Sequence, residues 1–333
     1  MRIPLPLGLA AAVALVGVSL APASSNVVRA VRPQSVSHFM FHRNPTVAAV
    51  RGAITIPHAV IPDKGGAASV YVSDYGANVV YGYAATGGSP TFTVSSGISG
   101  PQGLSANKKH LYVANTNDSQ ILVYTPPSTT PTTITDTGEF PAGVSVNAKG
   151  TAIWVSNICS APSCTMGNLE EYNASGTLVK TITCANMYRY YFVGSDAKGN
   201  VAVDGEDSSF LPTADVIPAG SSTCTAITPS LEFPGGVEFT SNGNLGIGDQ
   251  DADTVTVYAA PSFSTVVSTT DVSGASDPVT FSFNKGDKDV WTANAGGGDA
   301  TEYAFPAGGS DILAITGIVE PIGVANRPAA KAK

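Results

Sequence analysis

Residues Leu111 to Tyr124, LYVANTNDSQILVY, read as an apolar strand, a polar turn of Asn, Thr, Asp and Ser, and a second apolar strand. The same pattern returns as VYVSDYGANVVYGY from Val70, LGIGDQDADTVTVY from Leu245 and VWTANAGGGDATEY from Val290. It returns with longer inserts as IWVSN and LEEY from Ile153, and as VAVDG and ADVI from Val201. Four units keep one step of nine residues, from Asp74 to Tyr83, Asn115 to Tyr124, Asp249 to Tyr258 and Asn294 to Tyr303. Chance alternation does not hold such a register, so the chain is an array of six related units.

Unit starts lie 41 to 48 residues apart, which is room for four short strands and the period of a propeller blade. Unit two spells out all four: GLSAN from Gly103, LYVAN from Leu111, ILVY from Ile121 and TTIT from Thr132. Near-continuous apolar strands of this kind are packed on both faces. The text ahead of the units recurs too, as GPQGLS at Gly100, FPAGVSV at Phe140, FPGGVEF at Phe233, SDPVTF at Ser276 and EPIGVAN at Glu320. The last has no unit behind it. It is expected to supply the innermost strand of the blade holding Val70 to Tyr83, closing the ring without a free edge. The expected fold is all-β, a six-bladed β-propeller of four-stranded antiparallel blades over residues 53–326.

A net charge of −8 over 333 residues gives no electrostatic footprint for nucleic acid. Arg2, the apolar run from Leu7 to Leu20 and Ala21-Pro22-Ala23 read as a signal peptide over residues 1–23. The run is too short for a membrane span, and no later run is long enough, so no transmembrane segment is expected in the mature chain. Residues 24–52 form an irregular, mildly basic lead with Arg29, Arg32, His38, His42, Arg43 and Arg51, and residues 327–333 form a tail. Four cysteines in an exported chain form an even set. The expected pairs are Cys159 with Cys164 and Cys184 with Cys224, although the sequence leaves the other pairings open. The expected location is secreted or periplasmic.

Candidate site residues gather where second strands end. Asp74, Asn115, Asn157, Asp204, Asp249 and Asn294 are expected in a ring on one face, either holding a metal or a sugar or capping their own turns. Units four and five add alternating carboxylates, so Asp204, Asp249, Asp251 and Asp253 are candidate ligands for calcium. Against an EF-hand loop, Thr254 and Ala260 stand where Gly and Glu belong. Arg189 lies between Tyr188, Tyr190 and Tyr191, a grouping suited to capturing sugar, aromatic or peptide groups. The same residues can instead pack between blades, with Arg189 paired to an acid such as Glu206. Glu238 is the acid among Ser105, Ser145, Gly194, Thr280 and Ala325, the aligned places on the other first strands, and is a candidate metal ligand or base.

The units resemble NHL and YVTN-type propeller repeats. The shared features are the Pro-x-Gly-Val entry, a turn such as Asn147-Ala-Lys-Gly150, a strand ending in Ala-Asn or Ser-Asp, and a closing aromatic. Unit four departs, with NMYRYYFVG at Asn186 and no partner for the aromatics Tyr71, Tyr112, Trp154 and Trp291. The resemblance implies the fold and leaves function wide, since such propellers bind proteins, peptides or glycans and some are enzymes. Gluconolactonase-like propellers use an inner Glu, Asn and Asp around a divalent cation, a set that Glu238, Asn157 and Asp204 match in composition. Their Glu-Gly-Pro-x-Trp entry is absent. The expectation is a secreted binding module whose ligand, a protein, peptide or glycan, meets Tyr188, Arg189, Tyr190, Tyr191, Asn115, Asn157 and Asn294 on the face of units three to five. Its alternatives are a calcium-dependent lactonase-like hydrolase and a structural protein of the cell envelope.

Overall fold

The computed structural model describes residues 69–160, 163–284 and 286–327. The expected signal peptide and lead, residues 53–68 and the tail after Arg327 lie outside the described residues. The strands form six antiparallel sheets of four, each a blade ordered from the axis outward. Blade 1 holds β24 (Pro321–Asn326), β1 (Ser69–Asp74), β2 (Val79–Ala84) and β3 (Phe92–Val94). Blade 2 holds β4 (Pro101–Ala106), β5 (Leu111–Asn115), β6 (Gln120–Tyr124) and β7 (Thr132–Thr135). Blade 3 holds β8 (Glu139–Val146), β9 (Ala152–Ser160), β10 (Asn168–Asn173) and β11 (Leu178–Ile182). Blade 4 holds β12 (Arg189–Ser195), β13 (Val201–Glu206), β14 (Pro212–Ile217) and β15 (Thr225–Ile227). Blade 5 holds β16 (Pro234–Phe239), β17 (Leu245–Asp249), β18 (Thr254–Tyr258) and β19 (Val266–Asp271). Blade 6 holds β20 (Pro278–Phe283), β21 (Asp289–Asn294), β22 (Asp299–Ala304) and β23 (Asp311–Thr316). The chain therefore closes as its C-terminal text implies, with Ala325 of β24 opposite Tyr71 and Val324 opposite Val72. Among the described residues no helix is long and apolar enough to cross a membrane.

Packing between blades explains the repeat. Alternate side chains on a strand point to opposite faces, so each blade offers one row to the blade before it and another to the blade after. The Tyr that closes the third strand faces backward: Tyr124 packs with Tyr71 and Phe92 of blade 1, and Tyr303 with Val255 and Val257 of blade 5. The aromatic second residue of the second strand faces forward, Tyr112 against blade 3 and Trp154 against blade 4. Gly246 fills that place in blade 5, and the rings of Phe281 and Phe283 from blade 6 take up the space. Each seam thus buries its own apolar cluster. The Pro-x-Gly entry has a second cause. The pairing of first to second strand bulges there, as between Pro101 and Leu104 and between Pro234 and Val237. Its glycine lets neighbouring inner strands approach, for a Cβ on Gly103 would lie 2.6 Å from the Ala142 carbonyl and one on Gly143 2.9 Å from Phe192 Cα.

The registers also correct the alignment of the first strands. Opposite the second residue of each second strand stand Ser105, Ser145, Gly194, Glu238, Ser282 and Ala325. Thr280 lies one pleat away, opposite Ala293; Ser282 is the fourth residue after the entry proline, as Ser105, Ser145, Glu238 and Ala325 are in their strands.

Candidate interaction face

The connections from second to third strands, and from fourth strands to the next blade, emerge on one side of the ring, here the upper face. The ring of strand-end polar residues is buried there. Asp74, Asn115, Asn157, Asp204 and Asn294 are 0% exposed. Asp74, Asn115, Asp204 and Asp249 hold backbone N–H groups at the entry to a blade, whereas Asn157 and Asn294 bond side chains of their own third strands. Asp74 Oδ2 accepts from the Val319 N–H at 2.9 Å and Oδ1 from Glu320 at 3.1 Å. Asn115 Oδ1 accepts from Ser99 at 2.6 Å, and Asp249 accepts from Glu232, Phe233, Asp251 and Ala252. Asn157 donates to Asn168 Oδ1 at 2.9 Å, and Asn294 to Asp299 Oδ1 at 2.6 Å. Asp204 Oδ1 accepts from Phe192 at 2.9 Å, and burial pushes its carboxyl well above the usual range.

The carboxylates considered for calcium do not form one donor set. Among the described residues no three of His, Cys, Asp and Glu are gathered so as to hold a metal ion. Asp251 and Asp253 sit in the turn after Asp249, where burial and the charges of Asp277, Asp251, Asp271 and Asp249 raise Asp253 to about 6. Glu238 lies on β16, and its Oε2 accepts from Phe283 N–H of blade 6 at 3.1 Å. This is a seam contact of the same kind as Ser105 Oγ accepting from Val146 N–H and Ser282 Oγ accepting from Asn326 N–H. The axis is lined by inner-strand residues, among them Leu104, Val144, Phe192, Val237, Thr280 and Phe281, around a cavity of about 40 Å³. That is room for about three waters. Glu238, Asn157 and Asp204 do not line it.

The long loops of blades 3 and 4 build the rest. Cys159 and Cys164 are bonded across the β9–β10 loop, and Cys184 and Cys224 tie the entry of β12 to the approach to β15. Arg189 and Glu206 face each other across β12 and β13. Arg189 is 5% exposed, lies 4.7 Å from the centre of the Phe210 ring and hydrogen-bonds Tyr191. Tyr191 Oη in turn donates to Glu206 Oε2 at 2.7 Å. Tyr190 is fully buried, with its hydroxyl accepting from the Cys184 N–H at 2.6 Å. Of the four residues grouped in the sequence, Tyr188 therefore alone is partly open to solvent, with its ring edge-on to Phe210 at 6.2 Å. Gly167 donates to the Tyr188 carbonyl at 2.9 Å, which brings Met166 beside it.

Met166 and Leu211 are 45% and 52% exposed, large apolar side chains next in sequence to Gly167 and Phe210 on the two loops that meet at Tyr188. Sequence reasoning did not single out Met166, Phe210 or Leu211; the signal was the inserted length of units three and four. The basic residues gather on one face, although Asp196 and Asp287 lie in turns of that face too. Lys108, Lys109, Lys149, Lys198 and Lys288 lie in turns between first and second strands on the lower face, and Arg327 follows β24 there. Asp118, Asp207, Glu232, Asp253, Asp277 and Glu320 lie on the upper face, where buried Arg189 is the sole base among the described residues.

No family model matches this chain, and no curated protein matches it. Among solved structures, a chain in the crystal structure of a nidogen/laminin complex superposes with a TM-score of 0.66 at 11% identity, over 78% of this chain and 98% of its own. A protein of unknown function from Bacteroides caccae gives 0.61 at 13% identity, over 78% and 98%. A functionally unknown protein from Desulfotomaculum acetoxidans gives 0.57 at 9% identity, over 79% and 99%. At these identities the likeness is one of fold, and 1207 solved chains share it.

Proposed function

We propose that this protein is an exported binding module whose upper face, at the loops of blades 3 and 4, docks a protein partner presenting apolar and basic side chains. The observation that carries this reading is the pair of half-exposed apolar side chains Met166 and Leu211, on neighbouring loops linked through Tyr188 by the Gly167 hydrogen bond and the Phe210 ring contact, the first loop being closed by Cys159–Cys164. Aromatic and Met side chains over a rigid base are the composition of an interface core. The carboxylates on the same face supply the attraction for basic groups, and such attraction weakens with salt. The likeness to a propeller crystallised in a protein complex agrees with this use. Two disulfides agree with an oxidising, non-cytosolic compartment.

A photoreactive group placed at Met166 or at Leu211 tests the proposal. In the protein's own compartment each should give a discrete protein adduct that excess unlabelled protein suppresses and raised salt weakens. The same group at Val267, on the outer rim, should give none. Equal labelling from all three positions, or none from the first two, defeats the reading.

A further inference from the structure

At the seam of blades 2 and 3, Tyr172 Oη lies 2.7 Å from Asp136 Oδ1 and 2.6 Å from Glu170 Oε2. Glu170 and Tyr172 are two apart on β10, so both turn toward blade 2. Asp136 follows β7 of that blade and is 0% exposed. Oxygens this close need a hydrogen between them. A phenol carries one proton, whereas an ionised carboxylate only accepts. One hydroxyl cannot donate to two carboxylates at once. The second contact therefore requires a proton held on a carboxyl.

The surroundings offer no cation in its place. From β8, Glu139 faces the pair, its Oε1 accepting from Ser160 Oγ at 3.2 Å and Asn168 Nδ2 at 3.1 Å. From β11, Thr181 Oγ1 donates to Glu170 Oε1 at 3.1 Å. From the β5–β6 turn, the Ser119 carbonyl accepts the Asp136 N–H. Lys180 of β11 turns to the other face, 3.4 Å from Glu171 and over the Trp154 ring. Buried Asp136 Oδ2 has no hydrogen-bond partner among the described residues.

We propose that Asp136 and Glu170 share a carboxylic-acid proton through Tyr172, forming a clasp that fastens blade 2 to blade 3 in acid and weakens in alkali. Burial, then the hydrogen bond to Glu170 and the charges of Glu170 and Glu139, raise the Asp136 carboxyl from 3.8 to about 8. Its folded value is above its unfolded one. The clasp's contribution is thus complete below pH 3.8 and is lost as pH rises through about 8. This device does not depend on the partner-binding reading.

Asp136→Asn in the full chain is the test, because its amide N–H can donate to Tyr172 Oη where the acid O–H did, and position 136 no longer titrates. Urea unfolding is measured from pH 4 to 9. The folding constant of the wild type, relative to D136N, should fall by up to about tenfold per pH unit between the unfolded and folded values. An infrared carboxylic-acid band present in the wild type at pH 6 should diminish in the variant. If D136N does not fold, Glu170→Gln is read the same way. Parallel pH profiles with an unchanged band overturn the proposal. So does a wild type without that band at pH 6 that calcium stabilises at pH 9, since a cation then takes the proton's place.

Discussion

Desolvation against blade 6 pushes the Glu238 carboxyl from 4.5 up to about 8, so the folded protein holds it uncharged at neutral pH. Its folded value is raised, so its contribution is full below pH 4.5 and lost as pH rises through about 8. Glu238→Gln keeps an oxygen for the Phe283 N–H and removes the titration. Relative to the wild type, the variant should gain about 1.4 kcal/mol per pH unit within that window. Denaturant melts at pH 5 and pH 8 check this, and equal differences at both values would reject it. The sequence marked Glu238 as the odd acid in its row, where it is still the acid once Ser282 replaces Thr280. It did not show that the carboxylate binds the next blade, because its direction depends on the bulge after Pro234. The same limit held for Arg189: its aromatic company was legible, but its burial under Phe210 follows from a loop of irregular sequence.

At the scale of elements, the strands were legible almost to the residue. LYVAN and TTIT are β5 and β7 as read, the first a buried apolar strand and the second an exposed outer strand of β-branched residues, each between turn residues. The loops were not, since their shape is set by covalent ties and by what lies beneath them. The two disulfides should differ in weight. Cys184–Cys224 closes a segment of sequence separation 40 and Cys159–Cys164 one of 5. Chain entropy assigns them about 4 and about 2 kcal/mol. Cys184 also belongs to the blade 3–4 seam, beside Trp154 and Met187. Replacing Cys184 and Cys224 by Ser should therefore lower the melting midpoint more than replacing Cys159 and Cys164. Thermal scans of both double variants decide it, and the reverse order would show that the short loop anchors the fold.

For the whole molecule, the decisive element is the last strand. EPIGVAN repeats the blade entry with no unit after it, so the closure was readable from the sequence alone. β24 delivers Ile322, Val324 and Ala325 to three separate apolar clusters, each side chain under 5% exposed. It also bonds within its own blade and to blade 6: Ser73 Oγ of β1 accepts from Gly323 N–H at 2.7 Å, and Thr280 Oγ1 of β20 donates to the Ile322 carbonyl at 2.7 Å. Burial of Ile322 and Val324 alone is worth about 1.5–3 kcal/mol each, before the strand pairing is counted. A typical domain has about 5–15 kcal/mol in all. A chain ending at Val319 should consequently lose its cooperative melt and expose the edge of β1, whereas one ending at Arg327 should melt like the full chain. A synthetic peptide spanning Glu320 to Arg327, added to the shorter chain, should restore the transition in proportion to its concentration. Such rescue would show that the other 23 strands hold a ring with one vacancy. A shorter chain that melts cooperatively without the peptide would mean that blade 1 is stable on three strands, and that closure is not what holds the ring together.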